Sequence, residues 1–195
     1  MIPLQKTSRL SSALALAACI AVAGQGVFTA YAAEKAVPAE KNPPGDIPDT
    51  QVFIDYASPE GFTMKVPEGW ARSDRADGAS FVDKLDGVVL TVAKADALPT
   101  IESAKADYVS KLEATGRAVR VTAVKQIKLP AGEAIRIVYT SNSEPNPVTN
   151  KQVRLENERY LYFRGGRLVT LELYAPKGAD NVDQWQLMSN SLQWK

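Results

Sequence analysis

Side chains that usually catalyse reactions or bind metals are scarce in this chain of 195 residues. It contains no histidine, and its one cysteine is Cys19. Histidine is the commonest metal ligand and the commonest general base near neutral pH, so a serine–histidine triad is excluded. The lack of thiols and imidazoles beyond Cys19 also disfavours a zinc or copper site. The sequence therefore predicts no cofactor and no metal, and it leaves carboxylate chemistry or binding.

Four carboxylates bracket one short predicted strand and are the main candidates for acid–base chemistry. They are Asp74, Asp77, Asp83 and Asp86. A hydrolase of the glycosidase type needs two such groups about 5–9.5 Å apart in a cleft. Aspartates next to glycines are also ordinary turn residues, which bond to their own backbone. We take the turn interpretation as the main one and a carboxylate-based hydrolase as a remote alternative.

Arg159 is the most unusual charged residue, because strand periodicity places it among apolar neighbours. The residues that share its face of the predicted strand are Val153, Leu155, Asn157, Leu161 and Phe163. A buried arginine needs a partner, and Glu172 on the next strand is the candidate. Two interpretations remain open: an internal ion pair, which we favour, or a cation held in a cleft for an anionic ligand.

Aromatic side chains suggest a second kind of site. Tyr160 and Tyr162 lie on the opposite face of the same strand, and with Trp185 they would line a space for a lipid or another apolar ligand. The alternative is that they pack beneath a helix. For Trp70, Trp185 and Trp194 we expect core positions, since each lies beside apolar periodicity.

The segment Ser143–Lys151 is the least generic loop. Two prolines stiffen it, and Asn146, Pro147 and Thr149 present amide, ring and hydroxyl groups. Loops on rigid scaffolds often bind partners, so we consider these residues a possible partner-binding loop. The alternative is a plain connection between two strands.

Short strands with two helices position these residues. Strands are predicted near 52–54, 62–66, 80–84, 88–94, 120–129, 133–141, 153–164 and 167–175. Gly165-Gly166 indicates a tight hairpin. Thr100 is expected to cap a first helix that ends at a left-handed Gly116, and Asp180 to cap a last helix with Val182, Trp185, Met188 or Ser189, and Leu192 on its inner face. This order predicts an antiparallel sheet covered by helices, in the α+β class.

The N-terminal residues 1–33 have the composition of an export signal. Lys6 and Arg9 precede an uncharged stretch from Leu10 to Ala33, which ends in small residues. Cleavage after Ala32 or Ala33 is the main expectation. Lipidation at Cys19, within Leu16-Ala17-Ala18-Cys19, and retention as a membrane anchor are alternatives. We therefore expect an extracytoplasmic protein, either free or tethered to a membrane.

Beyond the signal, the sequence indicates a linker and one domain. Residues 34–50 are rich in proline and are expected to form a loose linker that buries little apolar surface. Residues 51–195 form the predicted domain. From residue 34 onward there are 21 Lys and Arg (23 minus Lys6 and Arg9) against 22 Asp and Glu, so no basic excess indicates nucleic acid.

The segment from Tyr56 to Trp70 resembles the opening of PsbP-like domains. Its pattern is Y-x4-G-F-x4-P-x-G-W, and Arg159-Tyr160, Gly165-Gly166, Leu168 to Ala175 and Asp183 to Leu192 follow the ending of that family. The resemblance covers about residues 51–194. It implies an α/β/α sandwich around a central antiparallel sheet, a fold shared with Mog-type Ran-binding proteins and the LpqN/LpqT lipoproteins.

These observations together predict an exported, non-enzymatic binding or accessory protein of the cell envelope. The resemblance implies that the protein acts by binding a protein partner or, as in the lipoproteins, by binding envelope lipids. A carrier for a lipid or other apolar ligand is therefore the alternative. The sequence does not name the envelope partner or the ligand.

Overall fold

A computed structural model describes residues 34–195 of the chain. It contains ten strands, all paired antiparallel. The strands are β1 Phe53–Ser58, β2 Phe62–Pro67, β3 Ala71–Arg75, β4 Gly78–Asp83, β5 Asp86–Lys94, β6 Arg120–Leu129, β7 Gly132–Asn142, β8 Arg154–Arg164, β9 Arg167–Pro176 and β10 Gln193–Trp194.

Two helical segments connect and cover the strands. The first is continuous and consists of α1 Ile101–Ser103, a π-helical stretch Ala104–Val109 and α2 Ser110–Thr115. The second is α3 Val182–Asn190. Among residues 34–195, no helix combines the length and the apolar character that a membrane span requires.

The strands form one large sheet and one small sheet. The large sheet has the order β3-β4-β5-β9-β8-β7-β6, and the small sheet has the order β1-β2-β10. The first helical segment packs on one face of the large sheet, while α3 and the small sheet pack on the other. The predicted α+β sandwich with a central antiparallel sheet is confirmed, with the small sheet as an addition to the second outer layer.

A separate apolar core lies on each face of the large sheet. On the first helical segment's side, Ile135, Ile137 and Leu161 pack against Ala104, all fully buried. On the α3 side, the core is larger and includes the three tryptophans as buried or partly buried members: Trp70, Trp185 and Trp194. Alternate residues of β8 and β9 therefore serve different cores, as expected for a sheet covered on both faces.

Local signals specify several of these boundaries. Thr100 caps the first helical segment, since its Oγ1 accepts a hydrogen bond from the Ser103 N–H at 3.2 Å. Gly165 and Gly166 both have positive φ, at 58° and 77°, which suits the tight β8–β9 hairpin. Strand β3 was not predicted, because its five residues are all exposed and show no apolar alternation.

The helix ends differ from the predictions. Gly116 is extended, with φ −86°, and the left-handed residue is Ala118. Gly116 instead lets the Val119 side chain approach its backbone closely, because a Cβ at Gly116 would lie 2.3 Å from Val119 Cγ2. At α3, the N-cap is Asn181 rather than Asp180, and Val182 is 71% exposed rather than on the inner face.

The segment 34–50 lacks helix and strand but is packed against the domain. The segment was expected to be a loose linker that buries little apolar surface, but Ile47 is buried in the larger core. The compact unit accordingly includes residues 34–50 together with residues 51–195. The physical reason is that buried asparagines of the domain provide hydrogen-bond partners for the segment's backbone.

Candidate functional site

The first helical segment covers only part of its sheet face and leaves a groove beside it. The groove consists of two adjoining depressions of about 440 and 750 Å³, which share Leu112, Thr115 and Glu172. We call this the helix-side groove. Its floor is formed by β5, β9, β8 and β7, and one wall by the helix. Concave surfaces of this size are suited to binding.

Arg159, Glu172 and Tyr139 form a polar cluster on the groove floor. Arg159 and Glu172 are directly opposite each other on β8 and β9, and the Arg159 Nε–Glu172 Oε2 distance is 2.8 Å. The Arg159 guanidinium donates a second hydrogen bond to the same oxygen, and the Tyr139 hydroxyl donates to Oε1. Both charged side chains are about one-fifth exposed. The cluster is thus an internal ion pair that still borders the groove.

The electrostatics of this cluster keep Arg159 charged and Tyr139 neutral near neutral pH. Burial acts to lower the pKa of Arg159, but Glu172 and Tyr139 more than offset this, so the pKa is raised overall. Burial and then the Glu172 carboxylate raise the pKa of Tyr139. A neutral tyrosine and a permanently charged arginine donate hydrogen bonds but cannot accept a proton at neutral pH. The cluster therefore suits recognition rather than acid–base catalysis.

Tyr174 forms the next polar position along the groove. Gly87 lies directly opposite it on β5, and a Cβ at Gly87 would lie 2.2 Å from Tyr174 Cζ. The tyrosine ring therefore lies on bare backbone. On its other side is Asn157, whose Nδ2 donates to Ser141 Oγ at 3.0 Å. This glycine–tyrosine pair was not identified from sequence, because the two residues lie 87 positions apart.

The loop Ser143–Lys151 begins at the rim of the groove. Its first residues, Ser143 and Glu144, line the smaller depression together with Asn142. Asn146 Oδ1 accepts hydrogen bonds from the Val148 and Thr149 N–H groups, both at 3.0 Å, so this exposed side chain also holds the loop in its folded conformation. The most exposed apolar side chain of the loop is Val148, at 91%.

Arg117 connects the loop to the start of the described chain. Its guanidinium bonds Glu144 Oε2 at 2.7 Å and Glu34 Oε2 at 3.1 Å. Glu34 Oε1 also accepts from Asn142 Nδ2 at 2.9 Å and from Gln152 Nε2 at 2.6 Å. These bonds lower the pKa of Glu34, with Asn142 as the largest cause. One edge of the groove is therefore ordered by a residue expected to lie in a loose linker.

Tyr160 and Tyr162 lie on the opposite sheet face, away from the groove. Tyr162 is 1% exposed, and its hydroxyl donates to the Ser189 carbonyl at 2.8 Å. Tyr160 stacks on it and donates to Glu158, which also pairs with Arg136. The tyrosines thus pack beneath α3, and the depression that Tyr160 borders has charged walls.

Two of the four aspartates form salt bridges, and the other two, Asp83 and Asp86, lie directly opposite each other in the β4–β5 hairpin. Asp74 pairs with Arg72 at 2.8 Å and Asp77 with Arg75 at 3.6 Å, while Asp83 is exposed and Asp86 buried. Within residues 34–195, no group of three or more Cys, His, Asp and Glu is placed to hold a metal ion. Cys19 and the predicted signal lie outside the described residues.

Comparisons with known proteins identify the fold. No protein-family model matches the sequence, and no curated protein matches it. The solution structure of cyanobacterial PsbP (CyanoP) from Synechocystis is similar, with a TM-score of 0.51, 13% identity, and coverage of 77% of this chain and 98% of that one. The Ran-binding protein Mog1p from Saccharomyces cerevisiae is also similar, with a TM-score of 0.50, 10% identity and coverage of 74% and 96%. The chain therefore has the PsbP-like fold, as its motifs implied.

Proposed function

We propose that this chain is an exported, non-enzymatic binding protein of the cell envelope, and that it contacts a protein partner through the helix-side groove and the loop Ser143–Lys151. The proposal rests on one observation, that the loop and the groove form a continuous surface. The base of the loop and one end of the groove share Asn142, Ser143 and Glu144. A stiff loop beside a preformed groove is a common arrangement for protein contact.

The chemistry of the groove supports binding over catalysis. Its floor carries an arginine and a carboxylate that already satisfy each other, together with tyrosines whose pKa values are raised. Such groups give hydrogen-bonding specificity without activating a nucleophile or water. The Ran-binding protein Mog1p, which has the same fold, also supports protein contact, although fold alone does not transfer a partner.

Affinity capture from an envelope extract of the host tests this surface. Val148→Asp on the loop and Thr115→Arg on the groove wall should each lose the partner, because both exposed positions face the proposed contact. Thr122→Arg, at an exposed position of β6, is the matched control and should retain it. Equal recovery with all three variants would remove both the loop and the groove from the contact.

Export is a separate part of the proposal with its own measurement. The basic start and uncharged stretch of residues 1–33 support cleavage near Ala33. Intact mass spectrometry of the protein recovered from its host should give a chain that begins at Ala33 or Glu34. A mass for an acylated chain beginning at Cys19 would support lipidation instead, and an uncut chain in the membrane would support an anchor.

A further inference from the structure

Residues 34–47 form a strap that crosses one end of the large sheet. The strap contacts the end of β7 at Asn142, the end of β9 at Pro176 and the start of β5 at Asp86. These positions lie at the same end, since the register pairs Gly87 with Tyr174, Tyr174 with Asn157, and Asn157 with Tyr139. The strap therefore passes the end of the helix-side groove.

Two buried asparagines clamp the backbone of the strap in the same way. Asn142 Nδ2 donates to the Lys35 carbonyl at 2.9 Å, and its Oδ1 accepts from the Val37 N–H at 3.0 Å. Asn181 Nδ2 donates to the Gly45 carbonyl at 2.8 Å, and its Oδ1 accepts from the Ile47 N–H at 2.6 Å. Each amide thus binds a carbonyl and the N–H two residues later, which holds the chain without reading its side chains.

A buried carboxylate lies under the second clamp. Asp86 is 6% exposed, and its Oδ1 has no hydrogen-bond partner among residues 34–195. The strap covers this oxygen at Gly45, where a Cβ would lie only 2.8 Å away and φ is +115°. An ionised, unpartnered carboxylate in this position is unfavourable, and lifting the strap would admit water to it.

We propose that Asp86 makes the strap a pH-sensitive element: the strap is closed at Gly45–Ile47 when Asp86 is protonated and opens there when Asp86 ionises. The groups that face Asp86 agree with this direction. Asp83 and Lys84 lie in its own hairpin, Asp46 in the strap and Tyr174 on β9. Asp83 and Asp46 disfavour the ionised form, and only Lys84 favours it.

The pH range follows from the direction of this shift. Burial, and then Asp83, raise the pKa of Asp86 from 3.8 to about 7. The closed strap therefore binds a proton that the open strap releases. Closure is most stable at low pH and is progressively lost as pH rises from about 4 to 7, above which the effect levels off. Opening near Gly45 would also expose the Asp86 carboxylate, because Gly45 covers its Oδ1.

Amide hydrogen exchange of the purified protein, corrected for intrinsic rates, tests the proposal. Between pH 5 and pH 8 the protection of the Ile47 amide should fall by roughly tenfold or more. The Val37 amide is the internal control. It should change little, because the carboxylate at its clamp, Glu34, has a lowered pKa and stays ionised throughout.

Two variants distinguish the effect of Asp86 ionisation from that of its acidic neighbour Asp83. Asp86→Asn should keep Ile47 protected at both pH values, while Asp83→Asn should retain most of the pH dependence. Should Asp86→Asn fail to fold, the Asp86 carboxyl can be titrated by NMR in the unaltered chain, and its midpoint should coincide with the loss of Ile47 protection. Protection that does not change with pH, or changes equally at Val37, overturns the proposal.

Discussion

Glu172 on β9 accepts hydrogen bonds from Arg159 on β8 at Oε2 and from Tyr139 on β7 at Oε1. The pair is only partly exposed, so the two charges depend on each other. Removing one partner of such a pair usually costs more than removing both, because a single buried charge then remains. An arginine that is free to bind an anionic ligand would not depend on Glu172 in this way.

Arg159→Met should therefore reduce the free energy of unfolding by about 2–3 kcal/mol, since Glu172 loses its cation. The double variant Arg159→Met/Glu172→Leu should recover much of this loss. Urea denaturation measures both. Lys65→Met, which breaks the exposed Lys65–Asp55 pair, is the control and should cost less than about 0.5 kcal/mol. A double variant no more stable than the single one would contradict the assignment.

Gly87 is a second position where a single substitution should change the local structure, because an added Cβ would overlap the Tyr174 ring. Gly87→Ala should lower the free energy of unfolding by about 2–3 kcal/mol, because the new Cβ collides with the Tyr174 ring and forces it from the groove. Gly87→Ala/Tyr174→Leu should recover part of the loss, since the smaller side chain gives room. Thermal or urea denaturation measures this, and equal stabilities of the two variants would argue against the contact.

Strand periodicity predicted the partner of Arg159 but not its surroundings. Alternation placed Arg159 on the less polar face, and the next strand offered one acid on the matching face, Glu172. Tyr139 and Gly87 were not predicted, because their roles depend on which strands become neighbours. Sheet order cannot be derived from alternation alone.

At the level of elements, the strap differs most from its sequence-based prediction. Its composition resembles that of a disordered linker, yet its backbone polar groups are bound by Asn142 and Asn181. Composition predicts what a segment can bury by itself, and it does not include hydrogen bonds that a folded domain provides. Asp180 was likewise predicted to cap α3, but Asn181 occupies the cap position and uses its side chain for the strap.

Asn181→Leu should lower the free energy of unfolding by about 2–3 kcal/mol, because the Gly45 carbonyl and the Ile47 N–H lose their partner in a buried place. It should also speed tryptic cleavage after Lys41. Asn190→Leu, near the end of the same helix and only partly buried, should change neither. Unchanged stability and cleavage in Asn181→Leu would show that the clamp contributes little.

At the level of the whole molecule, local signals predicted most of the large sheet. Turn glycines and apolar alternation located β4 to β9, and the resemblance implied the sandwich. The groove was not predicted, because it arises where a short helical segment covers a wider sheet. The depth and position of such a groove depend on the packing of the first helical segment, which single-sequence periodicity does not specify.

The proposed function requires that one partner contacts the groove and the loop together. A photo-crosslinking amino acid placed at Val148, at Thr115 and, as a control, at Thr122 tests this in intact host cells. All three positions are exposed in the isolated chain. We expect the same single protein to be crosslinked from Val148 and from Thr115 and not from Thr122. No adduct at either proposed position, or identical adducts at all three, would contradict the proposed contact.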